Sequence, residues 1–169
     1  MAAMRNFSSC EEMNEKIISS FNSVVSEKDI TYFIGDFCFK SIPNDFLDKL
    51  NGHFYFIRGN HDPKLIKHRK IVHWVNGYYD IKIQEQKITL CHYPMLSWNC
   101  SHYNSILLFG HHHSSIITEK FPFLGRSFCV SVEALTYQGL SFGVPISFDQ
   151  VMEIVKDKNN WDLITRSNE

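Results

Sequence analysis

The sequence predicts an α/β sandwich, and two observations carry that prediction. Short runs of aromatic and β-branched residues recur along the chain, and each reads as a buried strand. The early runs alternate with stretches that have helical spacing or helix caps, whereas later runs alternate apolar with polar residues across a tight turn. Helix–strand alternation followed by antiparallel pairing is the pattern of sheets packed with helices.

Taken in order, Ser9 followed by Glu12 forms a capping box for a helix running to about Val24. Met13, Ile17, Ile18, Phe21 and Val24 recur at helical spacing, so one face packs inward. Ser26 to Asp29 makes a polar turn into a strand over Thr31–Ile34. Pro43 opens a second helix over Asn44 to Leu50, and Asn51-Gly52 ends it. A strand over Phe54–Ile57 leads to Gly59-Asn60-His61-Asp62, after which Pro63 starts a short basic helix over Lys64 to Lys70. Tyr79–Ile83 and Lys87–Cys91 form an antiparallel hairpin. An irregular segment from Met95 to Asn104 contains Trp98 and His102. A strand over Ser105–Phe109 follows, then a short run at Ile116 to Thr118 and a late strand over Phe128–Val132. Ser147 with Gln150 caps a last helix from Phe148 to about Lys156. Residues 1–157 therefore read as one domain, followed by a polar tail over 158–169.

Composition narrows the function. With 169 residues the chain can bury a real core, and its 14 Phe supply a heavy aromatic load. A formal net charge of −1 gives no electrostatic case for a nucleic-acid duplex or an anionic membrane as partner, although local charges can still hold phosphate. The N-terminus lacks the apolar stretch of a signal peptide, and no run is long enough to span a bilayer. Five scattered cysteines without a CxxC pair argue against a disulfide framework or structural zinc, and place the chain in a reducing cytoplasm. Cys91 reads as a small buried filler at a strand end, with a reactive thiol as the alternative.

The chemistry gathers where apolar runs stop. Gly35-Asp36, Gly59-Asn60-His61-Asp62, Cys91-His92 and Gly110-His111-His112-His113 each follow a predicted strand directly or within two residues. Binding groups collect beyond the carboxyl ends of strands in open α/β sheets, so Asp36, Asn60, His61, His92, His111 and His113 are expected neighbours. Oxygen and imidazole donors without a thiolate suit a hydrolytic metal centre. His111 and His113 lie two apart, which in extended chain turns both imidazoles one way and His112 the other. Each motif alone also fits a turn residue or a hydrogen-bonded strand-end histidine; their shared placement favours a common ion. Arg58 and Lys64, with Arg69, flank the Asn60-His61 loop and could pair with phosphate or simply face solvent. His102 is a candidate substrate contact, while His53, His68 and His73 are expected to face solvent.

In this order the motifs resemble those of the calcineurin-like metallophosphoesterase superfamily, most closely its small single-domain bacterial and phage type. The similarity runs from Asn6 to about Val151. It implies a four-layer α-β-β-α sandwich with a two-metal site at one edge, using Mn, Fe or Zn. Asp36 would bridge both metals, Asn60, His92 and His111 would complete one, and His113 would serve the other. His61 would be the acid that protonates the leaving oxygen. The implied reaction is hydrolysis of a small phosphorylated substrate, a phosphodiester or nucleotide-like ester, by metal-activated hydroxide. The family's opening Asp-x-His occurs nowhere in the sequence, so the chain reads as N-terminally truncated relative to that pattern. Three explanations stay open: a start further upstream, a degraded remnant, or a genuine one-metal variant. Gly139 to Gly143 looks like an insertion. The alternative to an enzyme is therefore a non-catalytic or single-metal remnant acting as a binding or scaffold protein.

Overall fold

Ser9 opens α1 (Cys10–Asn22) by accepting the Glu12 N–H at 3.0 Å. The Glu12 carboxylate takes the Ser8 N–H at 2.8 Å. The computed structural model that carries these contacts describes residues 2–38, 43–64, 66–113 and 124–159. Among the described residues three further α-helices follow, α2 (Pro43–Leu47), α3 (Val132–Tyr137) and α4 (Phe148–Val155). In α4 both halves of the Ser147–Gln150 capping box form.

Among the described residues, seven strands make two sheets. β1 (Ile30–Ile34), β2 (His53–Ile57) and β3 (Ile71–Val75) are parallel, in that order. The second sheet runs β4 (Tyr78–Ile83), β5 (Gln86–Cys91), β6 (Ile106–Phe109) and β7 (Ser127–Cys129). Its first pair is antiparallel and the others parallel. Gln84 and Glu85 turn the β4–β5 hairpin with φ of 46° and 68°, as a two-residue turn of matching twist requires.

Strand alternation decides which face each residue serves. Phe54 and Phe56 of β2 are buried against Phe21 of α1 and Leu47 of α2. Ile57 points the other way, into a core with Ile88, Leu90, Ile106, Leu108 and Phe128 of the second sheet. The two sheets thus pack face to face, and Leu135, Val151 and Val155 from α3 and α4 enter this same core. The outer face of the second sheet, with Cys91, Leu107, Phe109 and Cys129, is closed by Trp98, Leu124 and Ala134.

This corrects the expected four-layer α-β-β-α sandwich. The fold is sheet-rich with few helices: α1 and α2 cover the first sheet, α3 and α4 contribute to the inter-sheet core, and Trp98, Leu124 and Ala134 of α3 close the second sheet's outer face. Helices α2 and α3 span five and six residues, about one and a half turns, too little to form a layer.

Smaller corrections follow from burial. No helix forms over 66–70; Ile66 is buried in the α1–sheet core, and Lys70 is buried with its ammonium donating to the Leu50 carbonyl. The stretch after it, unread in the sequence, is β3 at the sheet edge. The late strand stops at Cys129 because Ser131 caps α3, accepting the Ala134 N–H at 3.3 Å. The run at Ile116 to Thr118 lies outside the described residues. Lys158, within the expected tail, donates to the Ser127 carbonyl at 2.7 Å. No described helix is long and apolar enough to cross a membrane.

Candidate metal centre

β1, β2, β5 and β6 each deliver one polar residue to a common point between the sheets. Asp36 and His111 reach it with φ of 56° and 64°, a left-handed backbone that costs a non-glycine residue of order 1 kcal/mol or more. The glycines beside them let the strand ends touch. A Cβ on Gly35 would lie 2.3 Å from His92 Nδ1 and 2.7 Å from Gly59 Cα. One on Gly59 would lie 2.2 Å from Asp36 Oδ1.

Three ligand atoms, one each from Asp36, His92 and His111, lie within 4.8 Å of one another. Buried His92 has its Nδ1 2.9 Å from the Ile34 carbonyl, an acceptor only, so Nδ1 carries the proton. Its Nε2 lies 3.0 Å from Asn60 Oδ1 and 3.4 Å from Asp36 Oδ2. His111 Nδ1 sits 3.1 Å from the same Asn60 oxygen. In the tautomers that leave both ring nitrogens bare, these atoms and the Asn60 and Asp36 oxygens form a set that a cation could share. The spacing also fits: ligands about 2.1 Å from an ion stand roughly 3.0 Å apart at an octahedron's edge and roughly 3.4 Å at a tetrahedron's. A backbone carbonyl fixing the tautomer of a ligating histidine is the usual support for such a site.

Asp62, to which the sequence reading gave no role, holds the two loops together. Its Oδ2 accepts the Asp36 N–H at 2.7 Å and the Gly59 N–H at 2.9 Å, and its Oδ1 the Phe37 N–H at 2.8 Å. It is buried. The signal was present: an acid three residues after a turn glycine commonly accepts local backbone N–H groups. Asp36 Oδ1 is itself fixed by the His61 N–H at 2.9 Å.

No family model matches the chain. Over 159 residues it is 35% identical to the uncharacterized protein MJ1445 of Methanocaldococcus jannaschii, covering 90% of this chain and 80% of that protein. The chain belongs to the MJ1445 family. The crystal structure of AQ665, a protein of unknown function from Aquifex aeolicus, superposes with a TM-score of 0.62 at 18% identity over 90% of each chain, a likeness of fold.

In this member of the MJ1445 family the remaining candidate residues divide. His61 is exposed beside Asp36, contributing its N–H. His113 Nδ1 lies 3.1 Å from Glu133 Oε2, an ion-pair distance at which Oε2 makes no well-aligned hydrogen bond. The left-handed turn at His111 breaks the extended alternation that would have turned both imidazoles the same way. Glu133, also unread in the sequence, is clamped by Arg5, whose Nε and Nη2 lie 2.8 and 2.7 Å from Oε1. Burial pushes the Glu133 carboxyl up, but Arg5, its own backbone N–H and His113 together hold it below the usual glutamate value. Burial, then neighbouring His111, His113 and His92, lowers the His112 imidazole. Arg58 Nε donates to the Pro63 carbonyl at 3.2 Å. Lys64 and His102 are exposed, as are His53 and His73. His68, expected in solvent, is instead tucked in with its Nε2 3.2 Å from Asp48. Cys91 is buried and burial pushes its thiol up, which suits a filler rather than a nucleophile.

Proposed function

We propose that this chain binds one divalent cation through Asp36, Asn60, His92 and His111 and there hydrolyses the ester of a small phosphorylated substrate, a phosphodiester or a nucleotide-like compound. The observation that carries the reading is the convergence of four oxygen and nitrogen donors from four strand ends on one point. The motif order that resembles calcineurin-like metallophosphoesterases supports it. Mn, Fe or Zn would each accept this donor set, with availability deciding among them. Such an ion, when bound, supplies Lewis acidity toward phosphoryl oxygens and makes water acidic enough to attack.

The chain's own groups do the rest. Ile34 fixes which His92 nitrogen faces the centre, and the His61 N–H fixes the Asp36 carboxylate. The exposed His61 side chain, on the same loop as Asn60, is placed to give a proton to the leaving oxygen. Arg58 and Lys64 supply positive charge on that loop for the phosphate. A cytoplasmic setting accords with the free cysteines.

The test is turnover of bis(p-nitrophenyl) phosphate by chelator-stripped protein reloaded with Mn²⁺. His61→Ala is expected to cut turnover at least 100-fold with metal content unchanged. One observation favours a second reading, a single-metal binding or scaffold protein: His113, expected to serve a second metal, has Glu133 Oε2 3.1 Å from its Nδ1. Tight metal binding with no turnover of any phosphate ester would select it.

A further inference from the structure

Tyr93 follows His92 directly, and its ring stands against both imidazoles of the centre. Its centroid is 4.9 Å from that of His92 and 4.8 Å from that of His111, at interplanar angles of 75° and 60°. The two imidazoles are 5.1 Å from each other. The three centroids therefore form a nearly equilateral triangle. Tyr93 is 46% exposed.

That exposure is held in place. The segment after it is pinned by Trp98, buried in the outer core, and by Asn99, whose Nδ2 donates to Asp80 at 3.0 Å and whose carbonyl accepts from Ser105 Oγ at 2.6 Å. Leu96, on the same pinned segment, is 67% exposed. An exposed aromatic ring against the imidazoles of a polar centre can form one wall of a ligand site.

We infer that Tyr93 is a specificity-determining platform on which a flat aromatic group of the phosphate ester stacks, so that aryl or nucleoside esters are preferred to alkyl ones. This rests on the hydrolytic reading of the centre. Stacking is the interaction such a face offers, and it tolerates any planar ring, a nucleobase or a simple aryl group alike.

The experiment uses Mn²⁺-loaded protein and three p-nitrophenyl phosphodiesters whose second ester is methyl, phenyl or thymidine 5′. All three share one chromogenic leaving group. Wild type is expected to favour phenyl and thymidine over methyl in kcat/KM. Tyr93→Ala and Tyr93→Leu should lower both ratios roughly 10-fold, within the span of a single stacked base. Tyr93→Phe should keep them, and Tyr137→Ala, a remote exposed tyrosine, should match wild type. A fall in the thymidine ratio alone would specify a nucleobase. Ratios unchanged in Tyr93→Ala would overturn the inference while leaving hydrolysis standing. Absence of turnover in wild type would instead defeat the hydrolytic reading. Calorimetry with phenyl phosphate and methyl phosphate then decides the platform separately: a phenyl preference lost in Tyr93→Ala supports it, and equal binding overturns it.

Discussion

Asp62→Asn removes one charge and almost no volume, and the structure sets what it should cost. The carboxylate accepts three backbone N–H groups, two at Oδ2 and one at Oδ1. An amide offers one oxygen. Its better orientation keeps the Asp36 and Gly59 bonds and sets an NH₂ against the Phe37 N–H. The lost charge-assisted bond is worth about 1.5–3 kcal/mol, and the two retained bonds weaken toward neutral strength. The sum is roughly 3–4 kcal/mol, a large share of the roughly 5–15 kcal/mol a domain possesses. Urea unfolding in the presence of a chelator measures it without contribution from metal. Because those N–H groups fix the loop that carries Asp36, Mn²⁺ affinity should also fall roughly 10- to 100-fold by calorimetry, as for other groups that support ligands from behind. A variant within about 0.5 kcal/mol of wild type with unaltered affinity would refute the role given to Asp62.

Gly59→Ala places a Cβ 2.2 Å from Asp36 Oδ1 and 2.4 Å from the Asp36 nitrogen, so metal content measured on purified protein should drop and urea stability fall by about 2 kcal/mol or more. Glu133→Gln should lower stability at neutral pH by about 1 kcal/mol through the Arg5 contact. Because the folded Glu133 carboxyl lies below its ordinary value, that advantage is complete above the ordinary range and lost as pH falls through the depressed one. The wild type–variant gap in urea melts should therefore close on acidification. Trp98→Ala uncovers the second sheet's outer face and should cost about 3–5 kcal/mol, read in the same assay.

Strand positions were legible because each apolar run is short and ends at a polar residue, although β1 carries no fully buried residue. β3 was not, since Lys70 and His73 give the segment a polar look although its backbone pairs with β2. Layering was not legible either: helical periodicity shows that a face is buried, not against what, and α4 meets the inter-sheet core rather than an outer sheet face. At the site, Asp36, Asn60, His92 and His111 were identifiable as donors by their common place after strands. The supporting contacts depend on residues far apart in sequence. Arg5 and Glu133 are separated by 128 positions, and no local pattern links them. The left-handed backbone at His111 and the His113–Glu133 contact are equally invisible in the local sequence.

Calorimetric titration of Mn²⁺ into chelator-stripped protein tests the shared ion most directly. One equivalent is expected, with binding abolished by His92→Ala, severely weakened by His111→Ala and Asp36→Ala, and retained in His113→Ala. Binding that survives His92→Ala, or no heat and no bound metal in the wild type, would contradict the centre.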